Sequence, residues 1–347
     1  MMNERPDLSQ VSPQVRAYIE ALEAEVEQLR QAEQTAQAGE SRAESEPSEP
    51  PSSFNLVTIS AGGFAKRTLR HLYSCQRRGG MGVFDLETTK GDAPAFLVMA
   101  DESQSLLLVT NMARAFRMPV RELPESPVHS RGQSLLAPLA LQQDERLAVV
   151  VADMGQGYII LVSERGYVRS LRHQYVGENL RPGATLYNVK EFGCPVAACW
   201  TQSEIDLFIA TRQGRAIRFP LKQVPLQGGL GIRLEGDDTV VAATAVRGDS
   251  SVVLLGADGR GTLRLMSGFS ANKAPGGSGK IAIKSDCLVG AATVIPSDHV
   301  FILSRLGKLI RFRAVEIPPT EGAVQGVNCM SLRADEIVAM TVGPALY

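Results

Sequence analysis

The sequence predicts an all-β protein: a six-bladed propeller-like wheel of four-stranded antiparallel blades over residues 54–347, preceded by a short helix (1–33) and a flexible acidic linker (34–53). Three observations carry this. An apolar strand, a Gly-centred tight turn and a second strand that opens with basic residues recur six times between Val57 and Tyr347. The six units align on Ser60, Thr110, Ser163, Thr211, Gly256 and Ser304, at spacings of 50, 53, 48, 45 and 48 residues. A period of that size holds about four short strands, which is one blade. Finally, helical periodicity is absent beyond Phe54, and six blades close on themselves and so protect their sheet edges.

In chain order, Ser12-Pro13 starts the helix, with Ser as N-cap and Pro at the first helical position. Val15, Ile19, Leu22, Val26 and Leu29 then alternate four-three spacings, which puts them on one seam. That seam is a candidate for pairing with a second copy; the alternative is a helix docked on its own domain, because so short a helix is marginal alone. From Gln34 to Ser53 no large apolar residue appears, so this stretch reads as a flexible linker. Beyond it, runs such as Tyr158–Val162 and Val252–Leu255 are short, apolar and β-branched, and each ends at a turn. Three residues after each aligned position stand Gly63, Ala113, Gly166, Gly214, Gly259 and Gly307, where a hairpin turn selects positive φ. No Trp-Asp pair closes a repeat, and the one tryptophan is Trp200, so the repeat is not of the Trp-Asp type.

Composition narrows the function. With 44% apolar residues in 347, a sizeable core is available. Five cysteines and four histidines show no metal-site spacing, so no metal and no cofactor are expected, and the thiols read as free in a reducing cytoplasm. No apolar run approaches the roughly 20 residues that span a bilayer. The net charge of −1 conceals an asymmetry: residues 1–53 hold four arginines against eleven acids, net −7, and the rest is net +6. A partner meets the local field, not the sum. Ala274–Ile281 imitates a phosphate loop, but its first Gly is missing and Ile281 stands where Ser or Thr would bind Mg²⁺.

The first repeat alone continues into Gln76-Arg77-Arg78-Gly79-Gly80-Met81-Gly82. Together with the repeats, this heptad resembles the DNA gyrase A C-terminal domain, over residues 57–343. The family's box reads Gln-Arg-Arg-Gly-Gly-Lys/Arg-Gly; six of seven positions match, with Met81 in place of a cation. Remnants recur at Gln227–Gly231 and Gly276–Lys280. The resemblance implies a six-bladed β-pinwheel whose basic rim bends or wraps double-stranded DNA. It implies DNA contacts from the box residues Gln76, Arg77, Arg78, Gly79, Gly80 and Gly82, the arginines reaching phosphates and the glycines admitting the duplex. The basic residues behind the turns are the rim candidates: Lys66, Arg67, Arg114, Arg117, Arg169, Arg215, Arg218, Arg264, Lys308 and Arg311. The alternative for them is solvated charge that blunts exposed strands.

In gyrase the pinwheel follows a breakage-reunion domain whose catalytic tyrosine sits beside an arginine. None of the seven tyrosines here follows an Arg. The expectation is therefore a freestanding, non-catalytic cytoplasmic pinwheel, whose partners are double-stranded DNA and a separate topoisomerase core subunit. The alternative is a protein-interaction propeller that has lost useful DNA affinity.

Overall fold

The computed structural model describes residues 49–345 apart from 90, 203, 204 and 273, and, of the leader, Val15 and Ile19, both helical. The rest of the expected seam, at Leu22, Val26 and Leu29, and the linker over 34–48 lie outside the described residues. The compact unit that carries the wheel opens at Glu49, ahead of the first strand at Phe54.

Each repeat opens with an antiparallel hairpin, such as Phe54–Ser60 with Phe64–Leu69 in the first and His299–Ser304 with Lys308–Arg313 in the last. The aligned residue is Ser or Thr for a local reason: its hydroxyl accepts the N–H four residues on, Phe64 to Ser60 at 3.0 Å, Tyr167 to Ser163 at 3.1 Å and Lys308 to Ser304 at 3.1 Å. In the fifth repeat Gly256 has no hydroxyl, and Asp258 takes the Arg260 N–H at 3.1 Å instead. The turn residue three positions on has φ between 75° and 83° at the five glycines and 53° at Ala113, the region that Gly adopts without strain.

A third strand in each repeat pairs with the first strand of its hairpin: Pro94–Asp101, Leu147–Ala152, Pro195–Thr201, Val240–Val246, Leu288–Val294 and Ile337–Gly343. These six neighbour one another in a closed ring, the last beside the first. The outermost strand of every blade comes from the following repeat. Gln133–Ser134 edges blade 1, Ala184–Thr185 blade 2, Gly229–Leu230 blade 3 and Lys280–Ile281 blade 4. Blade 5 receives Val327–Asn328 and, in parallel, Pro319–Thr320. Val83–Phe84 of the first repeat crosses to blade 6 and closes the circle.

The core follows from this geometry. Six hydrophobic clusters sit one at each junction between blades, as where Leu56, Tyr73 and Leu97 of the first repeat meet Phe301, Leu303 and Leu309 of the last. Both faces of a blade are therefore buried, which is why strands such as Val252–Leu255 are continuously apolar where a half-exposed strand would alternate. No helix among the described residues is long and apolar enough to cross a membrane.

Candidate nucleic-acid interface

The loop Gln76–Gly82 lies where the first repeat crosses to the edge of blade 6. Its backbone is tied to the neighbouring repeats: Gln76 N–H donates to the Arg311 carbonyl at 2.8 Å, Gly79 N–H to Cys329 at 2.8 Å, and the Gly80 carbonyl accepts from Ser331 at 2.9 Å. Gly82 has φ of 71°, and a Cβ there would stand 2.6 Å from the Leu309 carbonyl oxygen. Gly279 holds the matching place on blade 4, 2.6 Å from the Ala216 oxygen. The close approach that Gly82 and Gly279 permit is to the adjacent blade.

The two arginines of the loop divide. Arg78 is turned inward: its N–H donates to Glu316 Oε2 at 2.9 Å, its Nε to the Glu316 carbonyl at 2.7 Å and a terminal nitrogen to the Asn328 carbonyl at 3.0 Å. Arg77 is exposed, and its side chain has no hydrogen bond or ion pair among the described residues. Gln76 is half-buried.

The ten rim candidates are less open to solvent than charges behind surface turns would be, and none of them is fully exposed. Lys66, Arg67, Arg218, Arg264 and Arg311 are buried, and Arg114, Arg117, Arg169, Arg215 and Lys308 are half-buried. Lys66 has no exposure at all; its ammonium lies 2.7 Å from Asp85 Oδ1 and donates to the carbonyls of Asp85, Pro127 and Val128. Burial lowers the Lys66 pKa and the Asp85 charge opposes that. Tyr73 and Thr58 also donate to Asp85, at 2.5 and 2.6 Å, and burial drives the Tyr73 phenol well above its usual range.

Arg67, Arg117, Arg218 and Arg311 share one register, seven residues after the aligned hydroxyl position. Three of them act as staples between blades. Arg67 Nε donates to the Leu123 carbonyl at 2.8 Å, Arg218 to Met266 and Phe269 at 2.8 and 3.1 Å, and Arg311 to Tyr73 at 3.0 Å. In every case the acceptor belongs to the tight turn that follows the hairpin of the next repeat. Each guanidinium is held from behind by the residue twelve before it: Asn55 at 3.3 Å, Asp206 at 2.7 Å and His299 at 3.0 Å. In the second repeat that residue is Ser105, too short to reach, and Arg117 pairs with Asp153 at 3.0 Å, which also binds His173 of the next turn at 2.9 Å.

The remaining candidates are held in the blade edges. Arg114 binds Glu145 and the Gly183 carbonyl, Arg169 the Gln227 carbonyl at 2.9 Å, and Arg215 those of Ser278 and Gly279, both at 3.2 Å. Lys308 lies 5.0 Å from the centre of the Phe84 ring, and Arg264 lies 5.6 Å from that of Phe269. Burial lowers the Arg264 pKa, opposed by Glu321.

Other cations occupy the exposed edge. Arg131, Arg181 and Lys280 are exposed near the outer strands: Arg131 one residue before Gly132, Arg181 two before Gly183, and Lys280 directly after Gly279, as the first residue of its strand. Their offsets from these glycines differ, so no fixed spacing in the sequence marks them. Arg131 is 3.1 Å from Glu87 in a solvent-exposed pair, and Arg181 has no side-chain partner among the described residues. Lys280 sits 4.2 Å from the Phe269 ring centre, its pKa lowered by burial and by Arg264 and Arg218. No group of metal-ligating side chains occurs among the described residues. Burial pushes the Cys199 and Cys329 thiols up to about 12, as expected of inert core cysteines.

A closed wheel whose outer strands are exchanged between successive repeats, with cations along its edge, defines a strand-exchanged β-propeller. The family described as DNA gyrase C-terminal domain, beta-propeller, matches residues 55–93, 104–152, 206–247 and 298–342, half of the sequence, and the chain belongs to it. It is 28% identical over 300 residues to the DNA gyrase A protein of Mycolicibacterium smegmatis, covering 82% of this chain and 36% of that protein. Against the DNA gyrase A protein of Chlamydia muridarum the identity is 29% over 301 residues, with the same coverage. The chain thus spans about a third of the length of the curated relatives it matches. In fold it matches a DNA gyrase A C-terminal domain with a TM-score of 0.74 at 20% identity, over 83% of this chain and 99% of that one. It matches the C-terminal domain of DNA topoisomerase IV with a TM-score of 0.60 at 19% identity, over 85% and 95%. The regions matched are the propeller alone, with no catalytic domain among them.

Proposed function

We propose that this wheel is a non-catalytic protein that binds double-stranded DNA and bends or wraps it along the outer edge of its blades. It works in the cytoplasm at the nucleoid, with a separate topoisomerase core as partner. The observation that carries the reading is the exposed guanidinium of Arg77, without a partner among the described residues, in the box loop at the blade 6 edge, with Arg131 and Arg181 along the edges of blades 1 and 2. Cations on successive blade edges suit a partner with regularly spaced phosphates, and their release of counterions supplies affinity independent of base sequence. Bending a duplex costs several kcal/mol, which many weak contacts together offset.

The test is a salt titration with a duplex of about 40 base pairs, comparing the wild type with Arg77→Ala/Arg181→Ala; each lost phosphate contact lowers the log–log slope by about 0.9. A slope unchanged in the variant removes these residues from the interface. A protein-interaction wheel is favoured at one place, the edges of blades 3 and 4, where Leu226 is 88% exposed and Leu230 and Ile281 also face solvent. Absence of any DNA binding at about 50 mM salt would move the assignment there, since counterion release is strongest at low salt.

A further inference from the structure

The seam between blade 6 and blade 1 brings a second guanidinium onto the residue that backs the staple, which the junctions stapled by Arg67 and Arg218 do not. In those, the guanidinium is backed by Asn55 or Asp206, and the next turn opens with Val120 or Met266. At the seam the backing residue is His299 and the next turn opens with Arg70, so two guanidiniums share one imidazole. Arg70 lies 3.1 Å from His299 Nδ1, and Arg311 Nε donates to the same nitrogen at 3.0 Å. Arg70 is fully buried and Arg311 is 3% exposed. Burial and the two arginines pull His299 down to about 4, so it is neutral at pH 7 and adds no charge to either side. The neighbouring Asp298 carboxylate accepts the Ile295 N–H at 2.9 Å and supports the Arg70 charge from a distance, a smaller effect than that of Glu49.

The missing negative charge comes from outside the blades. Glu49, the first residue of the compact unit, places Oε1 3.1 Å from Arg70 and Oε2 against Arg311. Its carboxylate is nearly buried, yet Pro50 and Pro51 behind it are exposed, so it enters from the solvent side and not through a strand. Two buried cations without an anion are strongly unfavourable, and two planar forks that converge from different blades match the oxygens of an oxyanion.

We propose that Arg70 and Arg311 form an oxyanion-binding site at the seam of the wheel, closed by the Glu49 carboxylate and taken by a phosphate group when that carboxylate is withdrawn. The site touches the box, because Arg311 holds the Tyr73 carbonyl with its side chain and the Gln76 N–H with its own carbonyl. Its occupancy is therefore felt at the base of the loop that presents Arg77. The phosphate has two sources, the free ion or the backbone of a duplex, and the site stands whether or not the wheel binds DNA.

The test is Glu49→Gln in the full chain, its thermal midpoint read in chloride and in inorganic phosphate at equal ionic strength. The wild-type midpoint is insensitive to phosphate. The variant melts about 10 °C lower in chloride and recovers at least half of that as phosphate saturates the site. Glu49→Asp, which keeps the charge on a shorter arm, falls between the two. Glu102→Gln, which removes an exposed carboxylate from Arg67, gains no phosphate dependence. Replacing phosphate with a duplex of about 40 base pairs separates the sources: recovery with DNA places a backbone phosphate at the seam, and recovery with the free ion alone assigns the site to small oxyanions. A variant that melts like the wild type in chloride, one whose lowered midpoint phosphate does not move, or one that cannot be recovered folded even in phosphate overturns the proposal.

Discussion

Repeats 1, 2, 4 and 6 place an arginine seven residues after the aligned position, at Arg67, Arg117, Arg218 and Arg311, whereas repeats 3 and 5 place Ser170 and Leu263 there. The four arginine repeats are those that the gyrase family covers, and the other two fall outside it. The same junction is thus made in two ways. After repeat 5, Leu263 joins Ala314 and Ile317 of the following turn in one hydrophobic cluster. After repeat 3, Leu221 and Val224 of the turn pack on the core, and Arg169 with the Tyr167 hydroxyl holds the Gln227 carbonyl further out. A guanidinium with fixed acceptors sets the position of the next blade by direction. An apolar contact sets it by volume and tolerates a change of shape.

Removing a staple sharpens the comparison most. Arg218→Met strands the Asp206 carboxylate and two turn carbonyls, so a loss of about 3 kcal/mol is expected in guanidinium unfolding. Arg218→Lys recovers only part of it, because the guanidinium meets Asp206 from Nε and the two turn carbonyls from a terminal nitrogen, a span that a single ammonium nitrogen does not cover. At the apolar junction the order reverses: Leu263→Ala costs about 2–3 kcal/mol through its cavity, but Leu263→Met stays under about 1.5. Equal losses for Arg218→Met and Leu263→Met would erase the distinction. Arg117→Ala is milder, about 1 kcal/mol, because the Arg117 side chain keeps 29% exposure and Asp153 retains its bond to His173.

The wheel was legible because its signals are local and repeated. The aligned Ser or Thr caps its own turn, Gly63 and its equivalents need positive φ, and a strand buried on both faces writes a continuous apolar run. The strand exchange was not legible: two-residue edge strands such as Gln133–Ser134 have no period to detect, and their partners lie a whole repeat away. The same blindness hides which cations are engaged. Basic residues after a turn look like surface charge, yet Arg67 and Arg218 are buried by segments of the following repeat, which supply the carbonyls they bind. Arg77 and Arg78 are identical in sequence terms, and only Glu316 and Asn328, more than two hundred residues on, separate an exposed guanidinium from an engaged one. Glu49 reads as linker for want of apolar neighbours, and its two arginine partners belong to the first and last repeats.

The smallest expected effect isolates the histidine that the seam uses where repeat 1 uses Asn55. Folding lowers the His299 pKa from 6.5 to about 4, chiefly through burial and then through Arg311 and Arg70. Between those values the unfolded chain binds more protons than the folded one, so this contribution is complete above about pH 6.5 and is lost as pH falls through about 4. His299→Asn keeps an acceptor for Arg311 and removes the titration. Glu49, Asp298, Arg70 and Arg311 surround the position in both proteins, so the comparison isolates the imidazole. At pH 7.5 the two proteins should differ by a few tenths of a kcal/mol, the size expected when one neutral acceptor replaces another. By pH 5 the wild type should have lost ground to the variant, read as a downward shift of its urea midpoint relative to His299→Asn. Parallel pH profiles would mean that the imidazole is not held neutral between the arginines, and that the seam differs from the first junction in shape alone.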